Sequence, residues 1–141
     1  MLDARTEQYI VFRLAEEKLA IDIREINEII KPEPITPVPN SKPYIQGVMN
    51  LRGKIIPVIS LSRRLGMPES LLEARSRIVV VHYNDEAIGL IVDAVERVAS
   101  LSVKPPPESR NLRGAQVVSG MGMSPEGLIS ILNIGCLLGE G

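Results

Sequence analysis

No tryptophan occurs in this chain, and three tyrosines with one phenylalanine leave little aromatic surface for stacking on bases or flat cofactors. Charge of either sign is not in excess: sixteen Lys and Arg stand against seventeen Asp and Glu. A net charge of -1 provides no long-range attraction for a polyanion, so nucleic acid is not an expected partner. The single cysteine, Cys136, excludes an internal disulfide and suits a reducing compartment. Uncharged stretches are broken by Gly, Pro or polar residues well short of the roughly 18 apolar residues of a membrane span. No direct membrane insertion is expected. The start, Met1 to Glu7, lacks a basic region leading into an apolar core and does not read as a signal peptide, so the expected location is the cytoplasm.

What is abundant is turn-forming residues: eleven Gly and eleven Pro, in a chain that is 45% hydrophobic. They favour many short strands over a helical bundle, and 141 residues suffice for one domain or two small fused units. Residues 9 to 23 hold two alternating apolar runs around a polar turn, which predicts a hairpin. Ile10, Phe12 and Leu14 then share a face with Leu19, Ile21 and Ile23. Residues 78 to 92 repeat the design around Asn84-Asp85-Glu86. At an offset of 69 positions, Ile10, Phe12, Leu19, Ile21 and Ile23 fall on Val79, Val81, Ile88, Leu90 and Val92. A second echo, offset by 73, carries Gly47, Ser60, Leu61, Leu65 and Gly66 onto Gly120, Asn133, Ile134, Leu138 and Gly139. Two units near the smallest size that folds alone are best stabilised by packing together, so the sequence predicts two small β-barrels in one body.

Between these signals the pattern changes. Ile23 to Ile30 has apolar residues three and four apart, which predicts a short amphipathic helix capped by Asp22, with Glu25 and Glu28 projecting from one side. Asp93 to Leu101 shows a similar spacing at Val95, Val98 and Leu101. Five prolines in Lys31 to Pro43 exclude a helix and predict an extended strap. Pro105-Pro106-Pro107 is a shorter break, and Ser124-Pro125-Glu126-Gly127 reads as a turn. Ser60 and Asn133 stand where N-caps of two short helices belong, and Gly66 and Gly139 where those helices stop.

Residues able to do chemistry are few and scattered. The only histidine, His82, ends a Val-rich strand, and Cys136 lies in an apolar run, so both read as structural. One Cys and one His do not make a zinc site, and the acidic residues lack calcium-loop spacing. Gly120-Met121-Gly122 resembles the start of a dinucleotide loop, but Pro125 stands where its third glycine belongs. Neither a nucleophile elbow nor a phosphate loop occurs. No catalytic residue, metal ligand or cofactor is therefore expected. Arg63-Arg64 on the first short helix, and Arg110 and Arg113 in a loop, read as solvated charge.

One run stands apart. From Tyr44 to Ile59 an apolar stretch contains Gly47, Asn50, Arg52 and Gly53, where glycines suit tight backbone turns and the polar pair suits directed hydrogen bonds at a strand corner. The pattern G-x-x-N-x-R-G-x-x-x-P, on Gly47, Asn50, Arg52, Gly53 and Pro57, resembles the signature of the CheW-like domain family, with Leu61 following. The family's V/I-x-E-I helix would fall on Ile26, Glu28 and Ile29, and its Val-Asp-x-Val pattern on Val92, Asp93 and Val95. Ser60 and Asn133 depart from the aspartate that the family often has there, which removes a charge but keeps a capping oxygen.

The resemblance implies a mainly β fold of two SH3-like five-stranded β-barrels with a few short helices. It implies one domain over 1–141, made of two intertwined subdomains, roughly 20–85 and 1–19 plus 86–141. It implies a strand, not a helix, after Asp93. It also implies a non-enzymatic adaptor that couples the cytoplasmic tips of chemoreceptors, the methyl-accepting chemotaxis proteins, to the regulatory domain of the histidine autokinase CheA at receptor arrays. Ile26, Glu28, Gly47, Asn50, Arg52, Gly53 and Pro57 become the candidate partner-binding or interface-shaping residues, with Glu28 and Arg52 expected to pair. A small-barrel RNA-binding module is the alternative suggested by fold analogy alone.

Overall fold

The computed structural model describes residues 7–69, 72–105 and 117–139. The first hairpin forms from β1 (Glu7–Leu14) and β2 (Glu17–Asp22), the second from β6 (Arg77–Tyr83) and β7 (Glu86–Val92). Between them lie β3 (Ile26–Ile30), β4 (Ile45–Leu51), β5 (Lys54–Ser60) and the short helix α1 (Leu61–Leu65). After them come β8 (Ala94–Lys104), β9 (Val118–Ser124), β10 (Gly127–Leu132) and helix α2 (Ile134–Leu138). The fold is mainly β, as the turn-rich composition predicts. Among the described residues no helix is long and apolar enough to cross a membrane.

Two five-stranded sheets result, and each borrows a hairpin. One sheet closes into a barrel in the order β1-β2-β10-β9-β8; the other runs β3-β6-β7-β5-β4. The first hairpin therefore sits with strands from the end of the chain, and the second hairpin with strands from its first half. The chain crosses from one sheet to the other at Ile23–Glu25 and returns at Asp93. At the return Asp93 accepts a hydrogen bond from the Ala15 amide at 2.7 Å, while its own amide donates to the Arg13 carbonyl at 3.0 Å.

The echoes in the sequence recur as pairing register. Ile10 faces Ile21 and Phe12 faces Leu19, as Val79 faces Leu90 and Val81 faces Ile88. The parallel contacts match as well: Ala20 lies beside Ile131, and Gly89 beside Val58. Even the irregularities repeat. The bulge that separates Ile26↔Val81 from Glu28↔Val80 has its counterpart between Val95↔Phe12 and Arg97↔Val11.

That bulge explains a misreading. The helix predicted over 23–30 is a single 3-10 turn, Ile23–Glu25, followed by strand β3, so Ile26, Glu28 and Ile29 are strand residues and Glu25 and Glu28 do not share a helix face. An inserted residue shifts the period-2 alternation by one, so Ile26 and Ile29 pack on the same core cluster and mimic helical spacing. Eight residues make a marginal helix, whereas β-branched isoleucines beside the edge of β6 that β7 leaves free gain a ladder. Asp22 still caps, its carboxylate accepting from the Arg24 amide at 2.8 Å. After Asp93 the chain is strand β8, in which Val95 packs on the layer between the sheets, Leu101 packs within the closed barrel and Val98 faces out.

Three apolar clusters follow from the exchange. Tyr9, Val11, Ala20, Leu101, Ile129 and Ile131 pack together from strands of the closed barrel alone, and Met49, Ile56, Val58, Ile78 and Val80 from the second sheet alone. The largest cluster lies between: Phe12, Leu14, Leu19 and Ile21 meet Val79, Val81, Ile88 and Leu90, with Leu61 and Leu65 of α1 and Ile134 and Leu137 of α2. Consecutive residues Ile78 to Val81 are all 0% exposed, because one face of β6 lines its own sheet and the other lines the shared layer.

The strap from Lys31 to Pro43 is extended, as its prolines require, and touches β4 through one antiparallel bridge between Thr36 and Val48. Its amide and carbonyl at Thr36 exchange hydrogen bonds with Val48 at 2.8 and 2.9 Å. In the closed barrel β8 runs on to pair with β9 as far as Lys104↔Met121. Pro32 and Pro34 lack the N–H needed for such a ladder, and among the described residues the backbone pairing across the second sheet's open side is that one bridge. Gly47 makes it possible. A Cβ there would overlap the Thr36 carbonyl oxygen and lie 2.9 Å from Ile35 Cγ2, and φ is +153°. Gly47 lies inside strand β4, so its glycine serves the strap's close approach and not a tight turn.

The helix signals hold. Ser60 accepts from the Arg63 amide at 3.4 Å and Asn133 from the Cys136 amide at 3.1 Å. Gly66 ends α1 in the left-handed region at φ 72°, whereas Gly139 is right-handed and is glycine for another reason: a Cβ would lie 2.6 Å from the Tyr83 hydroxyl. Pro106, Pro107, Arg110 and Arg113 lie outside the described residues.

Gly47→Ala is expected to destabilise the fold by about 1–3 kcal/mol in urea unfolding, through overpacking against the strap. Native-state hydrogen exchange should show the Thr36 and Val48 amides opening with it. Gly53→Ala, where an added Cβ meets nothing within 4 Å, should leave those two amides protected.

Candidate functional site: a braced hairpin corner

Strands β4 and β5 are joined by a two-residue turn, Arg52-Gly53, closed by the pair Leu51↔Lys54. Both turn residues have positive φ, 51° and 87°, the signature of a type I′ turn whose twist matches the strands it joins. Gly53 takes that conformation freely; Arg52 does so at the cost that any side chain incurs in the left-handed region. Asn50 secures the turn from below, its Oδ1 accepting from the Gly53 amide at 2.9 Å.

Arg52 then reaches across the open side of the sheet. Strands β3 and β4 are the two outer strands in the order β3-β6-β7-β5-β4. Glu28 on β3 receives two hydrogen bonds from the Arg52 guanidinium, Nη1 to Oε1 at 3.1 Å and Nη2 to Oε2. The fork fixes distance and orientation together. Arg52 stays 69% exposed, so screening leaves the pair little weight in stability and its consequence is geometric. The hydrogen bonds from Arg52 hold the Glu28 carboxyl below the usual carboxylate range, and Glu28 in turn raises the Arg52 pKa. Directly opposite Asn50 stands Ile55, 63% exposed, which gives the corner an apolar neighbour.

The candidate residues therefore occupy four places. Glu28, Asn50, Arg52 and Gly53 meet at this corner. Gly47 seats the strap, and Ile26 packs on the layer between the sheets. Pro57, opposite Val48 on β5, lines an apolar groove of about 360 Å³ together with Tyr44, Ile45, Ile59, Ile88 and Leu138. Ile55 was not legible as a site residue because it sits in an apolar run, Ile55-Ile56, where sequence gives no sign of which member faces out.

A model of the CheW-like domain family matches residues 8–140. The chain belongs to that family. The chemotaxis protein CheW of Treponema pallidum is 32% identical over 134 residues, covering 90% of this chain and 79% of the relative. That of Helicobacter pylori is 33% identical over 130 residues, with 90% and 78% covered. Among solved structures, the crystal structure of the scaffolding protein TtCheW from Thermoanaerobacter tengcongensis superposes with a TM-score of 0.90 at 35% identity, covering 97% of this chain and 95% of that one. The matched span includes Gly47, Asn50, Arg52, Gly53 and Pro57, the residues that seat the strap, build the turn and line the groove.

The closed barrel carries a counterpart of the brace with its charges exchanged. Arg97 on β8 occupies the register position of Glu28, while Glu126 is the second residue of the β9-β10 turn, one place beyond the position of Arg52, which Pro125 holds. Arg97 Nη1 lies 3.4 Å from Glu126 Oε1, and Lys18 Nζ joins at 2.8 Å. Hydrogen bonding by Lys18, ahead of Arg97, lowers the Glu126 pKa. One corner presents a cation outward and its twin an anion. Among the described residues there is no group of three or more His, Cys, Asp or Glu side chains placed to hold a metal ion.

Because the folded pKa of Glu28 is depressed, the pair is intact above pH 4.5 and its contribution is lost as pH falls through the lowered value. A carbon-detected NMR titration should place the Glu28 midpoint below 4.5 in the parent chain and return it toward that value in Arg52→Gln. For Glu126, Lys18→Met should raise the midpoint more than Arg97→Met does.

Proposed function

We propose that this chain is a non-enzymatic adaptor that couples chemoreceptor cytoplasmic tips to the regulatory domain of the histidine kinase CheA, in the cytoplasm at membrane receptor arrays. Family membership supports the reading, and so does the scaffolding description of the structural relative. The observation that carries it is the braced corner: a turn held by Asn50, an Arg52-Glu28 fork across the seam, and Ile55 exposed beside it. Such a corner has directed charge and an apolar contact on a backbone that does not have to be ordered on binding, which reduces the entropic cost of association. Glu28, Asn50, Arg52 and Gly53 shape the contact; Ile26, Gly47 and Pro57 support it through the core, the strap and the groove wall.

In this reading the ion pair acts through geometry. Glu28→Ala and Arg52→Ala are each expected to weaken binding to the kinase regulatory domain or to a receptor cytoplasmic fragment by about tenfold, the scale of a single important interface residue. The exchanged pair, Glu28→Arg with Arg52→Glu, should recover part of the loss. Isothermal titration calorimetry with both partners decides it, and full affinity in both alanine variants would remove the pair from the mechanism.

A further inference from the structure

Arg64 reads in sequence as solvated charge, yet its side chain is committed to two partners inside the protein. Its Nε donates to the Leu137 carbonyl at 2.8 Å and its Nη2 approaches the Cys136 carbonyl at 3.4 Å. Its guanidinium carbon lies 5.4 Å from the centre of the Tyr44 ring. The carbonyls belong to the last turn of α2, which has no basic residue of its own there. A helix end leaves its final carbonyls without intrahelical donors and concentrates negative partial charge at them. Arg64 provides from α1 the donors and the positive charge that the sequence of α2 omits.

The geometry points to Arg64 as the positioning residue of the apolar groove, one guanidinium tying together its two walls, Tyr44 and the Leu138-bearing helix α2. Five residues do not hold a helix in water, so α2 depends on its seat. Ile134 and Leu137 are buried beneath it, and a Cβ on Gly139 would lie 2.6 Å from both the Tyr83 hydroxyl and the Gly135 carbonyl oxygen. Those contacts fix the underside of α2. Arg64 fixes its end relative to Tyr44, and Leu138 and Tyr44 line the same groove. A lysine in its place would carry the charge without the planar fork that reaches two carbonyls and stacks on a ring. Arg63, its neighbour, instead donates to Glu69 at 2.9 Å and to the Pro43 carbonyl at 3.0 Å, and has no such contact with α2. The groove takes this form whichever partner uses it.

Cys136, the only cysteine and half-buried on α2, reports on the seat directly. In the full chain, the rate of its reaction with dithionitrobenzoate should rise about tenfold in Arg64→Met, as expected for loss of charge-assisted hydrogen bonds. The rise should be smaller in Arg64→Lys and absent in Arg63→Met. Urea unfolding of the same variants separates local from global opening. A Cys136 rate in Arg64→Met equal to the parent's overturns the inference. So does an acceleration in Arg64→Met no larger than its loss of global stability accounts for, since Arg64 would then support the fold in general and not the groove.

Discussion

The apolar layer between the two sheets is the constraint on which the rest depends. Phe12, Leu14, Leu19 and Ile21 from one sheet and Val79, Val81, Ile88 and Leu90 from the other have no second place to be buried. Each belongs to a hairpin whose opposite face already lines its own sheet, so both faces of these strands leave water together. Exchange of the hairpins makes the layer and the sheets inseparable. Neither sheet is complete from its own half of the chain. The short helices are part of the same layer, since Leu61, Leu65, Ile134 and Leu137 are its ends.

Against that rigid centre, the features at the rim are held by single, directed interactions. The strap is seated by a glycine and one bridge, the corner by an asparagine and one ion pair, and α2 by an arginine from its twin helix. Each decides where a surface lies. The internal repeat allows a comparison within one chain: β3 and β8 keep the bulge and the braced position, but the sign of the brace is reversed, Glu28-Arg52 against Arg97-Glu126, and Glu126 stands one place further along its turn than Arg52. Geometry is retained where the backbone needs it, while the outward charge differs between the two ends of the molecule.

Much of this was legible in the chain because it is local. Period-2 alternation marked both hairpins, Ser60 and Asn133 marked the helix starts, and Gly53 with Asn50 marked the corner. The resemblance in the motif brought Glu28 and Arg52 together before any coordinates did, and the fork between them bears that out. The error over 23–30 has a definite origin: a bulge displaces alternation by one residue, so Ile26 and Ile29 imitate a helix face. Gly47 was assigned to a turn because a glycine's local meaning is conformational freedom, and nothing near it in sequence shows that Thr36 lies against it.

What the sequence determined by itself was the set of parts: strands, turns, caps, the extended strap, and two copies of one plan. Each of these is dictated by neighbours within a few residues, through side-chain alternation, missing N–H groups and positive φ. Only the tertiary structure decided which hairpin joined which sheet, which of Ile55 and Ile56 faced solvent, and that Arg64 served α2 instead of water. Those outcomes rest on contacts between residues dozens of positions apart, where burial and hydrogen-bond partners are set by whatever the fold brings near.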